Sequence, residues 1–390
     1  MSVRLGIERL LDGPDRGLIA GRRIGLVSNP ASIDSSFRHA ADRLAGEDGW
    51  NLTALFGPQH GFRSDLQENM IESPHAQDVK RRVPVHSLYS ETREPTREML
   101  ADVDVLVVDL QDVGTRIYTY IYTMANCLRA ARRHGVPVVV CDRPNPIDGE
   151  SIEGAALDPS YESFVGQFPI PMRHGMTIGE LARLFNDHFG IGAAVDVVPM
   201  EGWRRSMYHD DTGLPWVLPS PNIPTLETAI VYPGAVLFEG TMLSEGRGTT
   251  RPFELIGAPW IDGERLAEEM NRRRLAGVVF RPVVFEPTFH KHAGQSCGGC
   301  QLHVTDRRKF RPLQAAVELL AEFHREAPDR FAWRQPPYEY EYVKPPIDIL
   351  YGSDALRRAI DAGQVVDGLV AAWPRDEDAF RALRRRFLLY

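Results

Sequence analysis

Val103 to Tyr120, VDVLVVDLQDVGTRIYTY, carries the strongest strand signal in the chain. Val103, Val105, Leu106, Val107, Val108 and Leu110 form an almost unbroken apolar run. Such a run suits a strand covered on both faces, as in a parallel α/β sheet. Interleaved with the end of the run and following it come Asp109, Gln111, Asp112, Gly114, Arg116, Tyr118 and Tyr120. In open α/β sheets ligands bind beyond the carboxyl ends of the strands, so this turn is where a site is expected, provided other strands bring partners to it. Taken alone, it reads equally well as a salt-bridged, solvated loop.

Outward from this strand, elements alternate. Arg23–Ser28 and Leu52–Phe56 read as strands closed by Asn29-Pro30 and Gly57-Pro58, with helical spacing around Phe37–Leu44 between them. Val83–Leu88 reads as a short strand that Pro84 confines to an edge or irregular position. A helix is expected from about Arg116, ended by Arg132, Arg133, His134 and Gly135. Val136–Cys141 is the next strand, with Asp142, Arg143 and Asn145 at its end; Thr177 and Glu180 make a capping box, and Val195–Val198 adds one more strand. The alternation predicts a Rossmann-like, doubly wound parallel sheet over residues 1–225. From Pro219 the texture turns rich in Pro and Gly, and residues 226–390 read as a smaller α+β domain. Its expected helices are Gly263–Arg273, Pro312–Glu326 and Asp354–Ala362, its strands Val278–Phe285 and Gln301–Thr305, and Tyr338, Tyr340 and Tyr342 suggest an edge strand with one aromatic face.

The 390 residues exceed one ordinary core and carry a net charge of -8, which argues against nucleic acid or an anionic membrane as partner. The basic triplets Arg272–Arg274 and Arg384–Arg386 read as solvated helix faces. Charges spread through the first residues leave no signal-peptide core, no run suffices to span a bilayer, and four cysteines form no disulfide framework, so a cytoplasmic location is expected.

Dinucleotide and P-loop fingerprints are missing, as are H-E-x-x-H and a G-x-S-x-G elbow. His290, His292, Cys297, Cys300 and His303 contain enough zinc ligands, but the spacing matches no standard finger, and packed or surface cysteines are the preferred reading; no metal or other cofactor is expected. Two loops remain. Phe56–Ser73 holds Gln59, His60, Arg63, Asp65, Glu68 and Glu72, and Phe238–Thr250 holds Glu239, Glu245 and Arg247 in a glycine-rich stretch suited to wrapping a polar substrate.

The strings DVLVVDLQDVGTRIYTYIYTM, DRPNP, RHGMTIGELA, PWVLPSPNIPT, YPGAVLFEGT and SEGRGTTRPFELIGAPW, in this order, resemble the YbbC-type family, long classed only as a domain of unknown function. The resemblance covers nearly the whole chain. Some members are exo-β-N-acetylmuramidases, so it implies a Rossmann-like N-terminal domain, a C-terminal domain closing over it as a lid, and removal of N-acetylmuramic acid from the non-reducing end of peptidoglycan fragments. Glycoside hydrolysis uses two carboxyl groups, and Glu239, Glu245 and Asp112 are the acids in reach, with Asp109 beside them. Arg63, Arg116, Arg143 or Arg247 would fork onto the lactyl carboxylate, Tyr118 and Tyr120 would meet the sugar, and Gln59, His60, Asp109 and Asn145 complete the binding set. The expected partner is a small saccharide or muropeptide. The sequence departs from the family where P-E-H-G becomes Pro58-Gln59-His60-Gly61, and where Met242 replaces the usual asparagine. Because an amide carries no titratable proton, either Glu68 or Glu72 is expected to stand in, or the substrate differs, or the protein binds sugar without cleaving it.

Overall fold

The computed structural model describes residues 3–46 and 49–390. In chain order the N-terminal elements are α1 (Gly6–Asp12), β1 (Arg23–Ser28), α2 (Ala40–Ala45), β2 (Asn51–Gly57), β3 (Ala76–Asp78), β4 (Val83–Ser87), β5 (Val105–Asp109), α3 (Tyr120–His134), β6 (Val138–Cys141), β7 (Glu153–Ala156), β8 (Pro171–Arg173), α4 (Ile178–Arg183) and β9 (Val195–Val198). Seven strands form one sheet in the order β3-β4-β2-β1-β5-β6-β9, in which only β3 runs antiparallel. The six parallel strands, taken in their own sequence, lie 3-2-1-4-5-6, the doubly wound Rossmann order. β5 sits centrally between β1 and β6 with all five residues buried, as its apolar run requires. Each valine or leucine so covered contributes about 2 kcal/mol.

The second half contains α5 (Leu226–Ala235), β10 (Leu255–Ala258), α6 (Gly263–Arg272), β11 (Val278–Phe285), β12 (Cys297–Val304), α7 (Pro312–Glu326), α8 (Pro346–Tyr351), α9 (Ala355–Asp361) and α10 (Asp367–Arg384). Its sheet is antiparallel, in the order β10-β12-β11. One apolar cluster runs without a break from Val108 and Leu110 through α3 into α5 and α7, so the two halves share a core.

Several local expectations are corrected. β4 is not an edge strand: β3, only three residues long and without a hydrophobic pattern, covers it, and Pro84 faces Gln77 there while β4 pairs with β2 from Val85 onward. α3 begins at Tyr120 rather than about Arg116, leaving Ile117–Thr119 as loop, although Gly135 caps it in the left-handed conformation at φ 71° as expected. α5 arises within the Pro- and Gly-rich stretch, because Thr225 caps it and burial against α7 overrides the break that Pro233 would impose. The tyrosine stretch is a tight turn, not a strand: Tyr338 and Glu341 exchange both backbone hydrogen bonds at 2.9 Å.

The C-terminal half is fastened at its tail. α10 packs on β7, and Arg384, expected on a solvated face, is buried and donates to the carbonyls of His174 and Gly175 at 3.0 and 2.6 Å. The Tyr390 hydroxyl donates to Asp142 Oδ2 at 2.7 Å and accepts from the Met200 amide at 2.7 Å. Asp142 is pushed up to about 7 by burial first and the neighbouring Glu180 second. Tyr390→Phe is therefore expected to lower the unfolding free energy by about 2 kcal/mol in urea titrations, with an unchanged far-UV spectrum.

Candidate active site

The doubly wound order places a crevice where β1 and β5 part from each other in connectivity. Here that crevice is filled. Asn29 Nδ2 reaches the carbonyls of Gln111 and Pro219 at 3.3 and 3.2 Å, Ser32 donates to the Asp109 carbonyl, and Arg143 forks onto Asp109 with Nε 2.6 Å and Nη2 2.8 Å away. Asp109 is fully buried in this pair. Asn145 spends its amide on the Met176 carbonyl at 3.0 Å and on the Ile147 amide at 3.1 Å. These three residues, expected at the ligand, instead close the sheet end.

The cavity opens to one side, between the turn after β2, the loop after β5 and the second half of the chain. Gln59 and His60 enter it from the first, Tyr118, Thr119 and Tyr120 from the second, and Ser220, Asn222, Tyr232, Glu239, Arg247, Tyr338 and Glu339 from the rest. The β2 turn is tight, with His60 at φ 70° and Gly61 at φ 80°, so the chain reverses at once and delivers Gln59 and His60 side by side. The rings of Tyr118 and Tyr120 meet edge-on at 4.7 Å, and Tyr232 continues the wall, edge-on to Tyr118 at 6.0 Å. Gln59, His60, Tyr118, Tyr120, Glu239 and Arg247 are thus brought together as the sequence suggested.

Other expected members lie elsewhere. Arg116 is fully buried away from the cavity, donating through Nη2 to the Leu350 and Tyr351 carbonyls at the end of α8, both at 2.9 Å. Arg63 is exposed and Glu68 half-buried, and neither lines the cavity. Asp112 accepts from the Gly114 amide at 2.7 Å and lies 3.6 Å from His174 Nε2, behind the lining. The glycine-rich loop, expected to wrap a polar substrate, is buried from Phe238 to Leu243 apart from Met242, and onward to Gly248.

That loop carries a compact charge arrangement. Arg247 Nη1 bridges Glu239 Oε1 at 2.9 Å and Glu245 Oε1 at 3.1 Å, and its guanidinium stands over the Phe253 ring at 4.9 Å. Lys291 Nζ donates to Glu245 Oε2 at 2.8 Å and to the Phe238 and Leu243 carbonyls at 2.8 and 3.0 Å. Burial opposes the charge on Glu245, but Lys291, Arg247 and His290 outweigh it and hold the carboxyl well below the usual range. Glu245 is therefore a fixed anion that orients Arg247. Glu239, by contrast, reaches the cavity, and its Oε2 accepts from Asn69 Nδ2 at 3.0 Å and from the Tyr338 hydroxyl.

Sequence reasoning missed Asn69, Lys291, Tyr338 and Glu339. Lys291 lies inside the H-x-H pair weighed as zinc ligands, and His290 faces Glu245 at 3.3 Å instead; Cys297 and Cys300 are buried, and no metal-holding group of His, Cys, Asp and Glu occurs among the described residues. The alternating Tyr-Glu run from Tyr338 was the one visible signal for Glu339, and its strand reading concealed it.

Residues 24–227 match the N-terminal and residues 230–390 the C-terminal model of the exo-β-N-acetylmuramidase NamZ family. The chain belongs to this family. It is 47% identical over all 390 residues, and over 91% of the relative's length, to the peptidoglycan β-N-acetylmuramidase NamZ of Bacillus subtilis strain 168. Two crystal structures of DUF1343 family proteins from Bacteroides fragilis superpose on the entire chain and on 99% of their own, with TM-scores of 0.90 and 0.76 at 35% and 28% identity. The family thus shares the two-part architecture described above. No helix among the described residues is long and apolar enough to cross a membrane.

His60 illustrates the electrostatics of the family's β2 turn in this chain. Its Nδ1 donates to the Leu66 carbonyl at 2.7 Å, and burial pushes its pKa down to about 4. The ring is neutral at neutral pH, with Nε2 left as an acceptor. Below the ordinary value of 6.5 the unfolded chain takes up a proton that folded His60 refuses until about pH 4. Stability falls across that window by up to about 3 kcal/mol from this group. His60→Gln should remove that part of the slope in urea titrations between the two pH values, leaving the contributions of His39, His86 and His209, which burial also lowers, and the opposing ones of Asp142 and Glu339, which burial raises to about 7.

Proposed function

We propose that this protein is a glycoside hydrolase that releases N-acetylmuramic acid from the non-reducing end of peptidoglycan fragments. The end-to-end likeness to an enzyme named for that reaction carries the reading. The chemistry of the cavity supports it, with a saccharide or muropeptide as the partner held where domains 1–225 and 226–390 meet. Tyr118, Tyr120 and Tyr232 offer an aromatic wall of the kind that packs against a pyranose face. Arg247 is a guanidinium that lines the cavity, of the kind that pairs with the lactyl carboxylate distinguishing muramic acid. Neutral His60 and the amide of Asn222 offer an acceptor and a donor for sugar hydroxyls and the acetamido group.

Glu239 serves as the catalytic carboxylate, ion-paired with Arg247 and aimed by Asn69 and Tyr338. Glu245 acts one step back by fixing Arg247, while Asp112 and Glu68 have no route to the sugar in this arrangement. A sugar-binding protein built on the same cleft is the weaker reading, since the curated relative is a hydrolase by name. The acidic balance and four unpaired, buried cysteines support a place inside the cell.

Incubation with a chromogenic β-muramyl glycoside should liberate free N-acetylmuramic acid. Glu239→Gln is expected to reduce kcat/KM by at least about 100-fold. A wild-type protein that binds the glycoside yet leaves it intact between about pH 4 and 9 would overturn the hydrolase reading.

A further inference from the structure

Glycoside hydrolysis requires a proton donor as well as a carboxylate. Among the described residues the carboxyl groups lining the cavity belong to Glu239 and Glu339. They are held in opposite ways. Glu239 is ion-paired with Arg247 at 2.9 Å. Glu339, 3% exposed, has no cationic partner: Oε1 accepts from Gln59 Nε2 at 2.9 Å and Oε2 from the Tyr89 hydroxyl at 2.8 Å. The charge balance agrees. Glu239 and Glu245 are matched by Arg247 and Lys291, so ionising Glu339 would add an uncompensated anion to a buried site.

The backbone holds Glu339 there at a cost. It and Tyr340 occupy the two central positions of the Tyr338–Glu341 turn at φ 46° and 65°. Asn or Gly ordinarily fills such positions, because other side chains strain them by about 1–3 kcal/mol each. The strain places the carboxyl beside Gln59. Gln59 in turn is fixed by Thr119, whose hydroxyl donates to Gln59 Oε1 at 2.7 Å, which leaves the amide nitrogen for Glu339.

We infer that Glu339 is the general acid of this reaction, giving its proton to the glycosidic oxygen while Glu239 serves the anomeric carbon, with Gln59 as the neutral donor that positions it. The inference rests on the hydrolase reading above. As the C1–O bond breaks, the proton of Glu339 passes to the aglycone oxygen, which leaves as a hydroxyl. One water is consumed: its oxygen bonds C1, one of its protons remains on the new hydroxyl, and the other returns to the carboxyl pair.

Burial, with Glu239 adding to it, raises Glu339 to about 7 against the opposing hydrogen bonds of Tyr89 and Gln59 and the charge of Arg247. His60, neutral down to about 4, adds no charge to the cavity over this range. The wild-type rate should therefore fall as pH rises through about 7. E339Q should lower kcat at least about 100-fold with little change in KM and abolish that limb. Q59E should move the limb to higher pH, because a second carboxyl within hydrogen-bond distance opposes ionisation. Folding of each variant is checked by its thermal transition and by calorimetric binding of N-acetylmuramic acid. Wild-type turnover that E339Q retains, with the limb in place, overturns the role of Glu339 alone. Should E339Q fail to fold, a limb that Q59E leaves unmoved overturns it equally. A wild-type protein without turnover overturns the hydrolase reading and this inference together.

Discussion

A guanidinium buried between two carboxylates sets the terms for this site. Arg247 is almost without solvent, so its charge persists because Glu239 and Glu245 share Nη1, and Glu245 persists because Lys291 faces its other oxygen. Each member would be costly if the others were absent. The arrangement turns a glycine-rich stretch, which composition marks as flexible, into a rigid wall. Gly240 belongs to the same requirement: a Cβ there would meet the backbone of Ile347 at 2.8 Å, so α8 can close on this loop only over a glycine. Rigidity here comes from charge pairing and close backbone approach rather than from regular secondary structure.

The sheet explains where the cavity is not. A doubly wound sheet offers a crevice at the end of β1 and β5, and an empty one would need a ligand or a plug to satisfy its polar backbone. This chain supplies the plug from its own side chains. Asn29, Ser32, Asp109 and Arg143 satisfy one another and the surrounding carbonyls. The site is displaced to the side bounded by the β2 turn and the loop after β5, where the second half of the chain contributes its acids. The continuous core and the fastening of α10 and Tyr390 hold that second half in place, so both halves define the cavity geometry.

The same displacement divides the arginines by role. Arg116 closes the end of α8, Arg143 neutralises Asp109, Arg384 ties the tail to the Gly175 turn, and Arg247 alone of these reaches the cavity. A guanidinium satisfies planar carboxylates and paired carbonyls equally well. Residue type therefore does not separate the structural arginines from one that meets a ligand.

The parallel sheet, most of its helices and the strings that mark the family are legible in the amino-acid order alone. Those properties are written in periodicity and local order: the apolar run of β5, the Thr177–Glu180 box and the Gly135 stop each depend on neighbours a few residues away. The sequence also pointed to Gln59, His60, Tyr118, Tyr120, Glu239 and Arg247, because polar groups gather at strand ends and in a glycine-rich loop, although the same signal marked Asp109 and Arg143, which close the sheet end instead. Which acids share the cavity depends on how distant segments pack. Glu239, Lys291 and Glu339 are brought together by packing between segments far apart in the chain, and no local pattern encodes that distance. For the same reason Asp109, Arg116 and Arg143 looked like ligands until the partners that satisfy them, residues 34 to 235 positions away, came into view.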